Sequence, residues 1–360
     1  MPPPSSFHRR RFRRKFLSAL LPLVGLGVAA AMEHSALAWT QLPALPDAEG
    51  FASAFAGVSH DALLVAGGAN FPGKRPWEGG TKVWYDRVFV LPSPQGAWVD
   101  AGRLPRPLAY GVSITTPAGI VCAGGGDAKE HRREVFRLSW TGKELRTDDL
   151  PMLPAPLAFG GGVLAGNKLY LSGGLEKPDA ATAAAVFWML DLAQPAAGWR
   201  ELPPCPGPAR MLAQVGVSGE TVYVCGGVSL HAGPDNKVVR TYLRDSYAYD
   251  PASGWRKLAD MPHGVAAAPS PMPVTAAGEL LVISGDDGTR AHLVGPDHPG
   301  FKQEVLAYDS VHDAWRNVTE GPISRATAPT TPWQGRWIVA SGERKPGYRS
   351  PEVWALEIKP

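Results

Sequence analysis

Val222-Tyr223-Val224-Cys225-Gly226-Gly227 is the stretch that decides the fold, because the chain contains six copies of its pattern. Each copy is a short apolar run of β-forming residues that ends at small residues, usually two glycines. The other copies span residues 63–68, 120–125, 169–174, 281–286 and 337–342. Successive copies are 57, 49, 53, 58 and 57 residues apart at the aligned position. This regular spacing predicts a repeat architecture in which each copy contributes one small sheet.

A second series of residues interleaves with the first and marks the outer strand of the repeats. Trp98, Trp199, Trp255 and Trp315 each open a short strand that leads into a proline-rich loop. A period near 50 residues, with a double glycine and a later aromatic residue, resembles the kelch repeat. The sequence therefore predicts an all-β fold, a six-bladed kelch β-propeller with one four-stranded blade per repeat.

The two ends of the chain predict how the ring closes. The sixth repeat supplies three strands between residues 325 and 358, and residues 39–43 resemble the outer strands of the other repeats. We expect residues 39–43 to pair with residues 350–358, because this pairing covers an open sheet edge. Residues 39–360 then form a single domain. The innermost strands are expected in segments rich in small residues, at 51–58, 157–164 and 265–268.

The composition excludes several other classes of protein. The 360 residues include 41 Gly and 36 Pro, which is too many for a helical bundle or a coiled coil, and a hydrophobic fraction of 44% argues against a disordered chain. The three cysteines cannot form a disulfide scaffold, and no Cys/His spacing resembles a zinc site. We expect Cys122 and Cys225 to be buried free thiols.

The N-terminal segment, residues 1–38, has the layout of a secretory signal peptide. Arg13-Arg14-Lys15 stands in a basic region, a 17-residue apolar run follows it, and Ala36-Leu37-Ala38 offers a cleavage site. The basic region also resembles a twin-arginine signal, and an uncleaved membrane anchor is the alternative. Cleavage predicts a periplasmic or secreted protein without stable membrane association. The remaining chain has a formal charge of −2, which gives a nucleic-acid partner no support.

Three stretches resemble one family of propeller proteins. They are Glu343-Arg344-Lys345-Pro346-Gly347-Tyr348-Arg349, the segments 50–59 and 67–73, and Leu108-Ala109-Tyr110-Gly111-Val112-Ser113. Together they look like the sialic acid mutarotases, the N-acetylneuraminate epimerases, and in particular their cyclically permuted members. In the enteric members the first stretch lies in the middle of the chain, whereas here it lies near the C-terminus.

This resemblance implies a reaction and two catalytic residues. The reaction is the interconversion of the α and β anomers of N-acetylneuraminate or a similar sugar, and the resemblance implies that this sugar is acidic. Such a reaction needs proton transfer only, which positioned carboxylates perform, so no metal or organic cofactor is expected. By the resemblance, Glu343 is the general acid/base, and Arg349 is its partner or the clamp on the substrate carboxylate.

Further residues are expected at the same mouth of the central channel. The loops between the second and third strands of each blade emerge on the face where the innermost strands begin. The substrate-binding candidates on this face are Lys345, Asn70, Arg75, Tyr110, Arg210, Arg325, Asp286 and His298. Arg210 and Arg325 can instead link neighbouring blades through backbone carbonyls. Leu108 departs from the arginine expected before Ala109, and whether Arg106 replaces that arginine is open.

Two other functions remain alternatives at this point. A kelch propeller can be a non-catalytic module that binds a glycan or a protein. A copper radical oxidase of the galactose-oxidase type also uses kelch repeats, but the six repeats show no matching Cys, Tyr and His set.

Overall fold

The computed structural model describes residues 1–2, 36–233, 237–293 and 295–359. Most of the predicted signal peptide, residues 3–35, lies outside the described residues. Within the described ranges, no helix is long and apolar enough to cross a membrane.

The described residues from 36 onward form six antiparallel blades, which confirms the predicted all-β, six-bladed propeller. Strands are numbered in chain order, and in the first four blades they run from the innermost to the outermost. Blade I contains β2 (Phe55–Ser59), β3 (Ala62–Ala66), β6 (Arg87–Leu91) and β7 (Val99–Arg103). Blade II contains β8 (Val112–Thr116), β9 (Gly119–Ala123), β10 (Val135–Trp140) and β11 (Leu145–Leu150). Blade III contains β12 (Gly161–Ala165), β13 (Lys168–Ser172), β14 (Phe187–Asp191) and β15 (Arg200–Glu201). Blade IV contains β16 (Gln214–Ser218), β17 (Thr221–Cys225), β20 (Ser246–Asp250) and β21 (Gly254–Leu258).

The last two blades differ from this plan. Blade V contains β22 (Leu280–Ile283), β23 (Glu304–Asp309) and β24 (Ala314–Glu320). Its innermost segment makes only single bridges, such as Val274 to Leu280, because Pro271 and Pro273 have no N–H to donate. The prediction of an innermost strand at 265–268 is wrong, because this segment makes only one bridge, from Ala266 to Asp286.

Blade VI is built from both ends of the chain. It contains β25 (Thr330–Trp333), β26 (Arg336–Ala340), β29 (Val353–Ile358) and, as its outermost strand, β1 (Leu37–Leu42). The register pairs Trp39 with Leu356. β1 also includes Leu37 and Ala38, which the predicted cleavage would remove.

Short hairpins extend three blades between their second and third strands. They are β4 (Ala69–Asn70) with β5 (Val83–Trp84), β18 (Val228–Ala232) with β19 (Val238–Tyr242), and β27 (Glu343–Lys345) with β28 (Tyr348–Arg349). Three 3₁₀ turns span Pro76–Glu78, Pro195–Ala197 and Gly295–Asp297.

A closed ring of backbone hydrogen bonds surrounds the channel where the innermost strands begin. Each blade contributes one residue with a positive φ of 48–66°, and its amide donates to the carbonyl of the ring residue in the preceding blade at 2.7–3.0 Å. The ring residues are Ser53, Tyr110, Phe159, Leu212, Ala267 and Thr327. The segments 51–54 and 157–160, expected in strands, instead form the turns that carry these residues, and β2 and β12 begin after them.

The double-glycine step joins each blade to the next. Gly226 has a φ of 58°, and a Cβ there would lie 2.4 Å from the Val265 carbonyl oxygen, so only glycine fits without a shift. In the last two blades Ser284 and Ser341 take this conformation. The Ser341 hydroxyl accepts the Phe51 amide at 2.7 Å, which links blade VI to blade I.

The tryptophans of the second series also link neighbouring blades. Each indole N–H donates to a carbonyl in the loop after the preceding blade's outer strand, at 2.7–3.1 Å. The pairs are Trp98 with Pro43, Trp199 with Pro151, Trp255 with Pro203 and Trp315 with Ala259. Apolar side chains fill the space between the blades, and Cys122 and Cys225 lie there as buried free thiols, as expected.

Candidate active site

Glu343 lies directly beside the backbone ring. In every blade the residue after the double-glycine step forms a bridge with the residue that precedes the ring residue, and for Glu343 this partner is Ala326, next to Thr327. Asp286 occupies the same position in the adjacent blade V, where it bridges to Ala266. The other four blades have Ala69, Gly126, Leu175 and Val228 at this position. Two carboxylates from neighbouring blades thus flank one mouth of the channel.

The β27–β28 hairpin fixes the Glu343 carboxylate. Glu343 pairs with Arg349 across the hairpin, and its Oε1 atom accepts hydrogen bonds from the Arg349 guanidinium and from the Gly347 amide at 2.8 Å. The Arg349 side chain is only 4% exposed, whereas that of Glu343 is 18% exposed. Among the described residues nothing donates to the Glu343 Oε2 atom, so this oxygen can accept a ligand hydroxyl.

Arg349 is held by blade I as well as by Glu343. Its guanidinium carbon lies 5.2 Å from the centre of the Phe71 ring, and its Nε points to the Ala69 carbonyl at 3.4 Å. These contacts fix the guanidinium plane and orient the carboxylate that it binds.

Asp286 is paired with a tyrosine rather than with a cation. The Tyr242 hydroxyl donates to Asp286 Oδ2 at 2.6 Å, and the Gly288 amide donates to Oδ1 at 3.0 Å. Burial, together with the neighbouring Asp286 carboxylate, raises the pKa of Tyr242 above its usual value. The phenol therefore stays protonated at neutral pH and remains a hydrogen-bond donor.

His298 is buried beside Asp286. The two residues line a small cavity together with Arg290 and Lys302. Burial lowers the pKa of His298, so its imidazole is neutral at pH 7. Since the Gly300 amide donates to Nδ1 at 3.0 Å, the proton of the neutral ring lies on Nε2.

Three other candidates make contacts within the protein around this mouth. Lys345 donates to the Pro296 carbonyl at 3.2 Å. Arg75 forms two hydrogen bonds with the Glu49 carboxylate, at 2.5 and 3.0 Å. Asn70 is buried, where it donates to the Gly50 carbonyl at 3.0 Å and accepts from the Tyr85 hydroxyl at 2.8 Å. Their ability to bind a ligand stays a prediction.

Arg210 and Arg325 start the innermost segments of blades IV and VI, and each is 2% exposed. Arg210 binds Asp245 at 2.8 and 3.0 Å and the Gly226 carbonyl at 3.0 Å. Arg325 binds Glu352 at 2.7 Å. Both side chains thus bind groups of their own blade, and neither the predicted link to a neighbouring blade nor ligand binding is decided by these contacts.

Leu108 holds the position in blade II that Arg210 and Arg325 hold in their blades, because its carbonyl likewise accepts the amide of the second residue of a double-glycine step. Arg106 is largely exposed and pairs with Glu134 at 3.3 Å. The contact of Arg106 therefore lies on blade II itself.

Lys82 and Tyr242 are site residues that the sequence did not reveal. The Lys82 ammonium donates to the hydroxyl of the ring residue Tyr110 at 3.1 Å. Lys82 and Tyr242 lie on hairpins outside the repeated pattern, so the repeat alignment carried no signal for them.

The space inside the ring is a small cavity. It measures about 80 Å³ and is lined by the ring residues and by small residues such as Gly161 and Ala213. Pockets that bind small molecules usually measure about 300–1,000 Å³. Glu343 and Asp286 do not line this cavity. Among the described residues no group of three or more His, Cys, Asp or Glu side chains is arranged to hold a metal ion.

The sequence matches a known family over most of its length. A family model described as N-acetylneuraminate epimerase matches residues 27–147 and 150–291. Curated proteins named N-acetylneuraminate epimerase are similar over shorter stretches. The relative from Yersinia pestis strain Pestoides F is 39% identical over 149 residues, which are 34% of this chain and 36% of the relative. The relative from Brucella suis is 41% identical over 111 residues, 28% of each chain. The chain thus spans about a third of the length of the curated relatives that it matches.

A solved structure agrees with the fold. The structural match to the solved structure titled "Structure of YjhT" covers 88% of this chain and 97% of the YjhT chain. Its TM-score is 0.65, and the sequence identity is 16%. At this identity the likeness concerns the propeller architecture alone.

Proposed function

Because this chain belongs to the N-acetylneuraminate epimerase family, we propose that it interconverts the α and β anomers of N-acetylneuraminate or of a similar acidic sugar. The observation that carries the proposal is the Glu343–Arg349 pair beside the channel ring. One oxygen of the carboxylate is held by the pair, and the other faces no donor within the described residues.

Ring opening needs two proton transfers, and ring closure needs the same two in reverse. On opening, Glu343 takes the proton from the anomeric hydroxyl, the bond between the anomeric carbon and the ring oxygen breaks, and that oxygen takes a proton from water. Rotation about the bond beside the carbonyl carbon of the open-chain keto sugar then presents the other carbonyl face to the hydroxyl. As the hydroxyl attacks and the ring closes, it returns its proton to water, and Glu343 gives its proton to the carbonyl oxygen. Positioned general acid/base catalysis accelerates such steps by about 10²–10⁴-fold, and side chains suffice for it, so the proposal includes no cofactor.

Arg349, Asp286 and His298 support this chemistry. Arg349 orients the Glu343 carboxylate before the proton transfer. Asp286 accepts a sugar hydroxyl, and the Nε2–H group of His298 donates to a sugar oxygen. Neutral and charged partners from two blades would thus hold the sugar across the mouth.

We place this activity outside the cytoplasm. The basis is the predicted signal peptide, residues 1–38, with its basic region and small-residue cleavage site.

Anomer exchange measured by NMR saturation transfer tests the proposal. The wild-type protein should exchange the anomer signals of N-acetylneuraminate faster than buffer does. Glu343→Gln should lose about 10²–10⁴-fold of that enzymatic rate per folded molecule, measured below the unfolding transition of the variant. Glu144→Gln, at an exposed carboxylate 72% accessible, is the matched control and should retain the rate.

Two results would contradict the proposal in different ways. A wild-type protein that binds the sugar but exchanges it no faster than buffer is a binding module, the alternative function. A Glu343→Gln variant as fast as the wild type keeps the enzyme and excludes Glu343 as its acid/base.

A further inference from the structure

We propose that Lys82 and Tyr110 together bind the carboxylate of the substrate and so give the site its preference for acidic sugars. This inference rests on the proposed function and assigns the substrate's charge to a residue pair that is separate from the Glu343–Arg349 pair.

Lys82 reaches the channel mouth from the loop between β4 and β5. The hairpin register pairs Ala69 with Trp84 and Asn70 with Val83, which holds the base of the loop. The Lys82 ammonium then donates to the Tyr110 hydroxyl at 3.1 Å. Because Tyr110 belongs to the backbone ring, this contact places the ammonium at the edge of the channel.

Aromatic rings surround this ammonium. It lies 5.2 Å from the ring centre of Tyr110 and 5.6 Å from those of Phe71 and Trp84. Such rings attract a cation without neutralising it, and they displace part of its water. An anion that arrives there meets a positive charge in surroundings less polar than bulk water, where the attraction is stronger than at an open surface.

The charge of Lys82 has no partner within the described residues. No described carboxylate lies within ion-pair distance of Lys82, whereas Arg75, Arg210, Arg325 and Arg349 each bind one. Arg349 in particular already shares its charge with Glu343, whereas Lys82 shares its charge with no described carboxylate.

Tyr110 supplies the second donor of the pair. Its hydroxyl oxygen accepts the hydrogen bond from Lys82, which leaves the phenolic proton free to point outward. One ammonium N–H and one O–H group, 3.1 Å apart, can then each bind one oxygen of a carboxylate.

The position of Lys82 suits the chemistry of the substrate. In a keto sugar acid the carboxylate and the reacting hydroxyl are bonded to the same anomeric carbon, so the anion site must adjoin the catalytic carboxylate. Lys82 and Arg349 both lie within cation–π distance of Phe71, and Arg349 binds Glu343. Phe71 thus lies between the proposed anion site at Lys82 and Arg349, the residue that holds the Glu343 carboxylate.

The test compares an acidic sugar with its neutral ester. Enzymatic anomer exchange is measured for N-acetylneuraminate and for its methyl ester with the wild type, Lys82→Met, Lys82→Arg and the exposed control Lys143→Met. A hydrogen bond to a charged group contributes about 10- to 100-fold in affinity. The wild type and the control should therefore prefer the acid by this factor in kcat/KM. In Lys82→Met, kcat/KM for the acid should fall by this factor and that for the ester should fall much less, so the preference is lost. Lys82→Arg should retain most of the preference.

Each other outcome overturns the inference. The charge of Lys82 does not bind the substrate carboxylate if any of three results is found. They are a Lys82→Met variant with the wild-type preference for the acid, a wild type without that preference, and a Lys82→Arg variant as impaired as Lys82→Met. These results require an active wild type. A wild type that accelerates neither sugar instead refutes the proposed function itself, and the inference falls with it.

Discussion

Replacing Arg210 with methionine should destabilise the propeller and leave its chemistry intact. The Arg210 side chain is 2% exposed and binds the Asp245 carboxylate and the Gly226 carbonyl, which lie on neighbouring segments of blade IV. Methionine fills much of the same volume but leaves Asp245, 16% exposed, without its cation. Removing one partner of a buried ion pair costs about 3–5 kcal/mol, and we expect this loss in the free energy of unfolding from urea titrations.

A double-substitution cycle isolates the ion pair. Asp245→Ala alone should also destabilise the fold, because it leaves the guanidinium unpaired, and the double variant should be no less stable than Arg210→Met. Below the unfolding transition, each variant should exchange anomers at the wild-type rate per folded molecule. Additive costs would refute the pairing argument. Unchanged stability with a raised KM would instead assign Arg210 to substrate binding.

Two further perturbations test other parts of the structure. Although burial opposes the charge of Asp287, hydrogen bonds from Thr289 and Lys302 lower its pKa from 3.8 to about 2. The stabilisation by the ionised Asp287 side chain is complete above about pH 5 and is lost as the pH falls towards 2. Asp287→Asn should therefore lower the free energy of unfolding by about 2 kcal/mol at pH 7, and its stability should fall less steeply between pH 5 and pH 2 than that of the wild type. Equal pH dependence in the variant and the wild type would contradict the assignment. Gly226→Ala should lower the free energy of unfolding by at least about 2 kcal/mol, because Gly226 has a φ of 58° and an added Cβ would contact the Val265 carbonyl oxygen. The control Gly254→Ala, at a φ of 82° with no atom within 4 Å of the added Cβ, should cost about 1 kcal/mol. Equal melting temperatures for the two variants would refute the steric argument.

The sequence predicted the number of blades because the residues that link them recur at a fixed period. Gly226 and its equivalents have a left-handed backbone, and Trp255 and its equivalents reach a carbonyl of the preceding blade. Each kind of residue is therefore visible in four of the six repeats. The backbone ring left no such mark. Its members include Phe159 and Leu212, and their left-handed conformation is imposed by the ring hydrogen bonds and not by residue type.

The candidate site was predictable only where one segment holds it. Glu343 and Arg349 are six residues apart on one hairpin, so a local motif could bring them together. Lys82 contacts Tyr110 across 28 residues, and Tyr242 contacts Asp286 across 44. Both contacts join different blades or hairpins, and their partners become neighbours only after the propeller has formed.

The backbone ring also fixes the dimensions of the bottom of the site without fixing which side chains lie there. Its six links use only amides and carbonyls, so its diameter is independent of the side chains that it carries. Serine, tyrosine, phenylalanine, leucine, alanine and threonine occupy equivalent corners of one frame. Related chains could therefore exchange these six side chains, one corner at a time, and accept new sugars while the scaffold beneath them keeps its dimensions.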